Sequence, residues 1–299
     1  MKKLRITRPV ILALATALSM ALMARFWPHK ITGMPEERWN QIKSDWHHDA
    51  DVVILGDSRS ASDLLPREMS STLRIANFAF PGNAYLDDYL SRGLAILDPS
   101  AKRRVLIIGM SSKTLTRSLE GWPPVAARSW SEVWKWRHLP ELLGVFARIT
   151  KWELVNTLRG KPELGTWREF RADGSFVGGA VWGNAGMPPV EGARSYLAGH
   201  AIDEAIVAEL MRTVAKARAD GIEVYGVRLP SSTAVDAIEE EVHHFSEADF
   251  ADKFRGAGGT WITVPDRTDY QTYDHSHLIQ PDAERFSRWF AEQLRLRDP

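Results

Sequence analysis

Two kinds of segment alternate along the chain. Short apolar runs rich in β-branched residues predict buried strands at Asp51 to Leu55, Leu73 to Phe78, Arg104 to Gly109, Ile222 to Leu229 and Thr260 to Val264. Between them, helical periodicity predicts helices over Tyr85 to Leu97, Ala201 to Ala219, Ala234 to Phe254 and Pro281 to Leu296. The last has proline at its start and Phe286, Trp289, Phe290 and Leu294 on one face. Strands alternating with helices imply an α/β fold whose parallel sheet is covered on both faces.

Two regions depart from this rhythm. Ser111 to Gly199 holds seven of the twelve tryptophans, shows no sustained alternation and reads as an insertion at about 111–199. Within it Trp130, Trp134 and Trp136 suit one helix face, and Gly178 to Pro189 reads as loop. These aromatics suit a local subcore, a sugar-stacking surface or a membrane-proximal face. At the other departure, Lys2, Lys3, Arg5 and Arg8 precede an apolar run from Pro9 to Ala24, and Arg25, Phe26, Trp27 and Pro28 follow it.

That order of basic flank, apolar span and aromatic end is an export signal. A transmembrane helix needs roughly 17 to 25 residues, so the run is short for a span unless Arg25 and its aromatic neighbours extend it. The expectation is a basic tail over 1–8, a signal anchor over 9–27, a tether with a first helix over 28–50, and one catalytic domain over 51–299. A cleaved signal peptide is the alternative, with Ser19-Met20-Ala21 as the small-residue site. Either way the positive-inside rule places the bulk of the chain outside the cytoplasm, anchored to or released from a bacterial inner membrane.

Acidic and basic side chains balance at 38 each, which gives no field to gather polyanions and argues against nucleic acid as a partner. Cysteine is absent, so disulfides, thiolate nucleophiles and cysteine-ligated metals are excluded. No zinc-type spacing of histidine and carboxylate surrounds His243 and His244, which are expected on a solvated helix face. His47, His48 and Asp51 are a weak metal candidate, and the chain is expected to work without a cofactor.

Two segments carry the chemistry. Gly56-Asp57-Ser58 follows the first strand, where a serine at the carboxyl edge of a parallel sheet meets the usual ligand crevice. Asp274-His275-Ser276-His277-Leu278 precedes the last helix. Serine needs a base held in one tautomer by a third group, and an aspartate three residues before a histidine supplies both. Ser58, His277 and Asp274 are therefore the expected nucleophile, base and orienting acid, with Asp266 and Asp269 as rivals to Asp274. Asp57 is expected to hydrogen-bond its own turn. Arg59 and Arg228 suit either an anionic group on the substrate or internal ion pairs.

Gly56-Asp57-Ser58 and Asp274-x-x-His277-Leu278, followed by Pro281 and an amphipathic helix, resemble the SGNH/GDSL hydrolase superfamily from Asp51 to Leu296, apart from the insertion. The resemblance implies a flavodoxin-like, three-layer α/β sandwich. It also implies an oxyanion hole from the backbone of Ser58 and of Gly82, which lies in Asn77-Phe-Ala-Phe-Pro-Gly82-Asn83. Where that family usually has Gly-x-Asn-Asp, this chain has Gly109-Met110-Ser111-Ser112, which leaves Ser111, Asn83 and Arg59 as the candidates to stand in for the missing asparagine.

The anchor, the Gly-Asp-Ser-Arg-Ser sequence, Val227-Arg228-Leu229-Pro230 and the lost asparagine are similar to a subgroup of exported proteins. That subgroup includes alginate O-acetyltransferase-like and teichoic acid D-alanyl transfer-like proteins, which partner membrane-bound O-acyltransferases. The resemblance implies acyl transfer or ester hydrolysis on an envelope polysaccharide or lipid, through an acyl-enzyme, with Arg59, Asn83 and Arg228 near the substrate. The alternative is a glycan-binding or scaffold subunit that has kept the fold without the reaction.

Overall fold

The computed structural model describes residues 16, 36–117, 165–181, 187 and 190–296. The chain divides into two compact units, Met1–Ile31 with Arg128–Gly165 and Thr32–Ala127 with Thr166–Pro299. The sheet and its helices belong to the second.

The described strands are β1 (Val52–Leu55), β2 (Ile75–Asn77), β3 (Val105–Met110), β4 (Gly165–Phe170), β5 (Phe176–Val181), β6 (Glu223–Arg228) and β7 (Thr260–Ile262). The described helices are α1 (Glu36–Asp45), α2 (Ser58–Asp63), α3 (Pro66–Met69), α4 (Asp87–Leu94), α5 (Glu191–Ala198), α6 (Glu204–Ala219), α7 (Thr233–His243), α8 (Glu247–Gly256) and α9 (Gln280–Gln293). Five strands form one parallel sheet in the order β2-β1-β3-β6-β7. The order reverses direction between β1 and β3, and in sheets of this kind ligands bind beyond the carboxyl ends of the strands at that reversal. The loops that open there begin at Asp57 and Ser111.

Alternate residues of the central strands feed two cores. Val53, Leu55, Leu106, Ile108 and Val224 pack with Trp39 of α1, Leu90 of α4, Leu210 and Val214 of α6 and Phe254 of α8. Val52, Ile54, Val105, Ile107 and Val227 pack on the other face with Met69 of α3 and Phe286 and Phe290 of α9. Every residue of β1 and β3 is buried, as expected of central parallel strands covered on both faces. The architecture is a helix, sheet and helix sandwich.

Two element expectations are corrected. Ala234 to Phe254 is two helices, because His244 takes a left-handed φ of 51° that ends α7, and Ser246 then caps α8 by accepting from Asp249 N–H. Gly178 to Val181 is strand rather than loop, paired with β4 through a tight turn over Arg171–Ser175. Its glycines are packing devices: a Cβ on Gly178 would lie 2.8 Å from the Tyr273 hydroxyl, and one on Gly179 2.7 Å from Trp167 Nε1. The stretch expected as a tether supplies α1, whose fully buried Trp39 packs against Phe80, Phe170 and Phe176.

Trp130, Trp134, Trp136 and the anchor expected over 9–27, apart from Thr16, lie outside the described residues. Among the described residues, no helix is long and apolar enough to cross a membrane.

The closest approach in the sheet is at Ser60. A Cβ on Gly109 would lie 2.2 Å from Ser60 Oγ and 3.1 Å from Ser60 Cβ, and one on Gly56 1.9 Å and 2.6 Å from the same atoms. Gly109→Ala is expected to destabilise the fold by about 2 kcal/mol, the ordinary cost of overpacking, in urea unfolding. Ser60→Ala in the same chain removes the nearer obstacle and should recover more than half of that loss. Gly56→Ala should not be rescued, because its φ of 152° and its clash with Ser60 Cβ both remain.

Candidate active site

Ser58 opens α2 directly after β1, so the chain turns from strand to helix within Gly56-Asp57. Asp57 caps the helix: its Oδ1 accepts from Arg59 N–H at 2.9 Å, and its Oδ2 accepts from Ser111 Oγ at 2.6 Å. Ser58 is half-buried, whereas the rest of α2 is buried. Two tyrosines hold the strand ends below it. Tyr89 Oη accepts from Gly56 N–H at 2.9 Å and donates to Phe78 O at 2.9 Å, and Tyr85 Oη donates to Gly109 O at 2.7 Å. Burial pushes both phenols well above their ordinary pKa, so they serve here as neutral hydrogen-bonding groups.

The loop after β2 carries Gly82. Asn77 fixes this loop to α2, donating from Nδ2 to Ser60 O and Leu64 O, each at 2.8 Å, and accepting from Ala79 N–H at 3.1 Å. Gly82 takes a φ of 70°, which suits glycine, and is buried beside Asn83. From below, the buried Lys43 of α1 donates to Ala79 O and to Gly174 O in the β4–β5 turn. Its ammonium lies 3.7 Å from the centroid of the Trp39 ring and 4.3 Å from that of Phe80. Burial lowers the Lys43 pKa well below the ordinary range, against the opposing charge of Asp173.

The loop between β7 and α9 folds on itself through Tyr273 N–H to His277 O at 3.0 Å and Ile279 N–H to Gln271 O at 2.9 Å. Asp274 sits at its tip and accepts from the N–H groups of Ser276 and His277 at 3.1 and 2.9 Å. His277 Nδ1 contacts both Asp274 oxygens, at 3.0 and 2.8 Å. The ring stacks on Tyr273 with centroids 5.7 Å apart and meets Phe176 of β5 at 6.2 Å. Its Nε2 is buried and has no hydrogen-bond partner among the described residues. A histidine pinned by a carboxylate at one nitrogen, with the other left open, has the tautomer of a general base.

Burial alone would raise the Asp274 carboxyl, but the hydrogen bond and charge of His277 outweigh it, together with the two backbone N–H groups, and hold it below its ordinary value.

The two arginine candidates meet acids of this chain. Arg59 Nη2 pairs with Glu239 Oε1 at 2.8 Å, and Arg228 Nη2 reaches Glu239 Oε2 at 3.1 Å and Asp236 at 3.3 Å. Arg228 is 1% exposed, with Glu240 and Glu247 also within 4 Å, so this chain's own acids take up its charge, as in the internal ion pair that is one of the two roles expected of it. Burial opposes the charge of Arg59, but Glu239, Asp57 and Asp236 outweigh it and raise its pKa. The Ser111 hydroxyl, expected as an oxyanion donor, gives its one proton to Asp57. Asn83 is buried next to Gly82 in the loop after β2.

His243, expected in solvent, is buried, with Nδ1 at 2.8 Å from Ser112 Oγ and Nε2 at 3.0 Å from Leu197 O. Among the described residues no group of three or more histidines and acids could hold a metal.

Asn77, Glu239, Lys43 and Asp63 are the supports that sequence reasoning missed. A single polar residue in the apolar stretch Ile75-Ala-Asn-Phe-Ala-Phe80, and a lysine four positions after Trp39 on the same helix face, are signals that could have marked two of them. A groove of about 750 Å³ between α7, α8 and the end of β7 is lined by Asp236, Glu240, Glu247, Trp261 and Arg267 among others, and by none of Ser58, Gly82, Asp274 and His277.

No family model and no curated protein matches the chain. Among solved structures it is similar to one described as "a putative platelet activating factor from Streptococcus pneumonia", at 11% identity and a TM-score of 0.39, over 96% of this chain and all of that one. At that identity and score the likeness says nothing about activity.

A carboxyl held below its unfolded pKa stabilises the fold fully above the unfolded value, and the contribution is lost as pH falls through the folded value. Unfolding in urea at pH 5.5 and at pH 3 is therefore expected to show a smaller loss of stability on acidification for Asp274→Asn than for the unaltered chain.

Proposed function

We propose that this chain is a serine esterase or O-acyltransferase with Ser58 as nucleophile, His277 as base and Asp274 as the group that orients and charges the base. The observation that carries this reading is the Asp274-bound His277, whose second nitrogen is buried and unpartnered. A buried polar nitrogen left open in this way costs stability whatever its role, so its presence calls for an explanation such as a reaction. The half-buried Ser58 at the carboxyl end of β1, beside the reversal in strand order, supports the assignment of the nucleophile.

In the first half-reaction Nε2 of His277 takes the Ser58 hydroxyl proton as Oγ forms a bond to the ester carbonyl carbon. The oxyanion is held by the backbone N–H groups of Ser58 and Gly82. Collapse breaks the bond to the alcohol, which leaves with the proton from His277. In the second half-reaction His277 takes a proton from water or from a sugar hydroxyl, whose oxygen attacks the acyl-enzyme and releases Ser58. The acceptor proposed is an envelope polysaccharide or lipid, with the chain held at the inner membrane by residues 9–27, its catalytic domain outside the cytoplasm, and a membrane-bound O-acyltransferase as partner. The basic flank and apolar run of the N-terminus support that location.

A second reading, a glycan-binding subunit without catalysis, is favoured by Ser111, which stands where the resembling family has an asparagine and gives its proton to Asp57.

A fluorophosphonate probe separates the two. The unaltered chain should be labelled at Ser58, Ser58→Ala should not, and His277→Ala should react about 100-fold more slowly, the low end of general-base contributions. Equal labelling of the unaltered and Ser58→Ala chains would leave the binding reading.

A further inference from the structure

Asp63 closes α2 and is fully buried, although nothing in the proposed reaction uses it. Its Oδ1 accepts from Leu278 N–H at 3.2 Å and from Ser62 Oγ at 2.5 Å, while its Oδ2 is buried with no partner among the described residues. Its main-chain oxygen accepts from Ser287 Oγ of α9 at 2.9 Å, and that same Oγ accepts from Leu65 N–H at 2.8 Å. The helix that begins with Ser58 is thus tied at its far end to the residue after His277 and to the helix that follows it.

A leucine would fill such a place at less cost. Burial drives the Asp63 carboxyl well above its ordinary range, with Ser62, Leu278 N–H and Arg59 opposing and Asp57 adding to the rise. An acid kept under those conditions needs a purpose that packing alone does not supply.

We propose that Asp63 is a positioning residue, which through Oδ1 holds the His277 loop against the helix carrying Ser58 and so sets the path of the proton from Ser58 to His277. The Leu278 N–H it accepts from belongs to the residue next to the base, so loss of the acceptor strands a buried donor there and lets the loop move. A misplacement of about 1 Å between reacting groups can cost on the order of 100-fold in rate. The proposal rests on the reading of Ser58 and His277 as nucleophile and base.

The test is the rate of Ser58 labelling against fluorophosphonate concentration, which separates the maximal rate from the half-saturating concentration. Asp63→Ala is expected to lower the maximal rate about tenfold or more while changing the half-saturating concentration less than about twofold. Asp63→Asn keeps the oxygen acceptor and should label within about threefold of the unaltered chain.

The proposal is overturned if Asp63→Ala labels within threefold of the unaltered chain, or if Asp63→Asn is as slow as Asp63→Ala. Should Asp63→Ala fail to give a cooperative thermal transition, Asp63→Glu takes its place. The carboxyl group is then kept but the acceptor moves by one methylene, and an Asp63→Glu chain that labels faster than Asp63→Asn overturns the proposal. Unaltered protein that does not label at Ser58 overturns both this proposal and the esterase reading, whereas normal Ser58 labelling with an indifferent Asp63→Ala overturns this one alone.

Discussion

The carboxyl edge of the sheet depends on one close approach, that of Ser60 between the backbones of Gly56 and Gly109. Helix α2 begins the moment β1 ends, and its first turn must lie almost on the sheet for Ser58 to reach the carboxyl edge. Any side chain at either glycine would lift the helix and Ser58 with it. Ser60 completes the fit with a hydrogen bond of 3.3 Å to Gly109 O, and Asn77 holds the same turn from the side through Ser60 O. The site is therefore a property of the ends of β1, β2 and β3 together rather than of one loop.

How much of this could be read from the sequence follows from the range of the interactions. β1 and β3 announced themselves because strands buried on both faces are continuous apolar runs, and α9 because Phe286 and Phe290 recur on one face. The break between α7 and α8 was hidden, since His244 ends α7 by a backbone conformation that a histidine only occasionally adopts. β5 was hidden for another reason. Its Gly178 and Gly179 look like loop residues until Tyr273 and Trp167 are seen to occupy the space that side chains would take.

The site divides along the same line. Asp274 and His277 are three residues apart, and their contact is local, so the spacing carried it. The charges were harder. Arg59, Arg228 and Glu239 stand on α2, β6 and α7, and an arginine beside a candidate nucleophile looks the same in sequence whether it meets a substrate or a buried glutamate. Burying such a network costs desolvation that its internal attraction must offset, so each charge is tied to its partners and unavailable to solvent. Asp63 and Leu278 are separated by 215 positions, and no pattern in either stretch points to the other.

The surroundings of His277 bear on where an acyl group on Ser58 would go. Tyr273 stacks on one side of the ring, and Phe176 approaches from the β4–β5 hairpin, which belongs to the insertion rather than to the sheet. That hairpin is locked to the strand that leads into the Gly82 loop: Asn77 N–H donates to Asp173 O at 2.9 Å, and a Cβ on Gly174 would lie 2.0 Å from Asn77 O. Apolar walls around a base keep bulk water from it, and water is the competitor of a sugar hydroxyl in the second half-reaction. With the Ser111 proton given to Asp57, the proposed oxyanion hole has backbone donors and lacks the side-chain donor of the resembling family. One lost donor slows acyl chemistry about 100- to 1000-fold in the known cases. On the esterase or acyltransferase reading, a hole weakened in this way and a base walled from solvent make a poor general hydrolase. They suit an enzyme whose acceptor brings binding energy of its own, which is the condition that a polysaccharide chain fulfils and water does not.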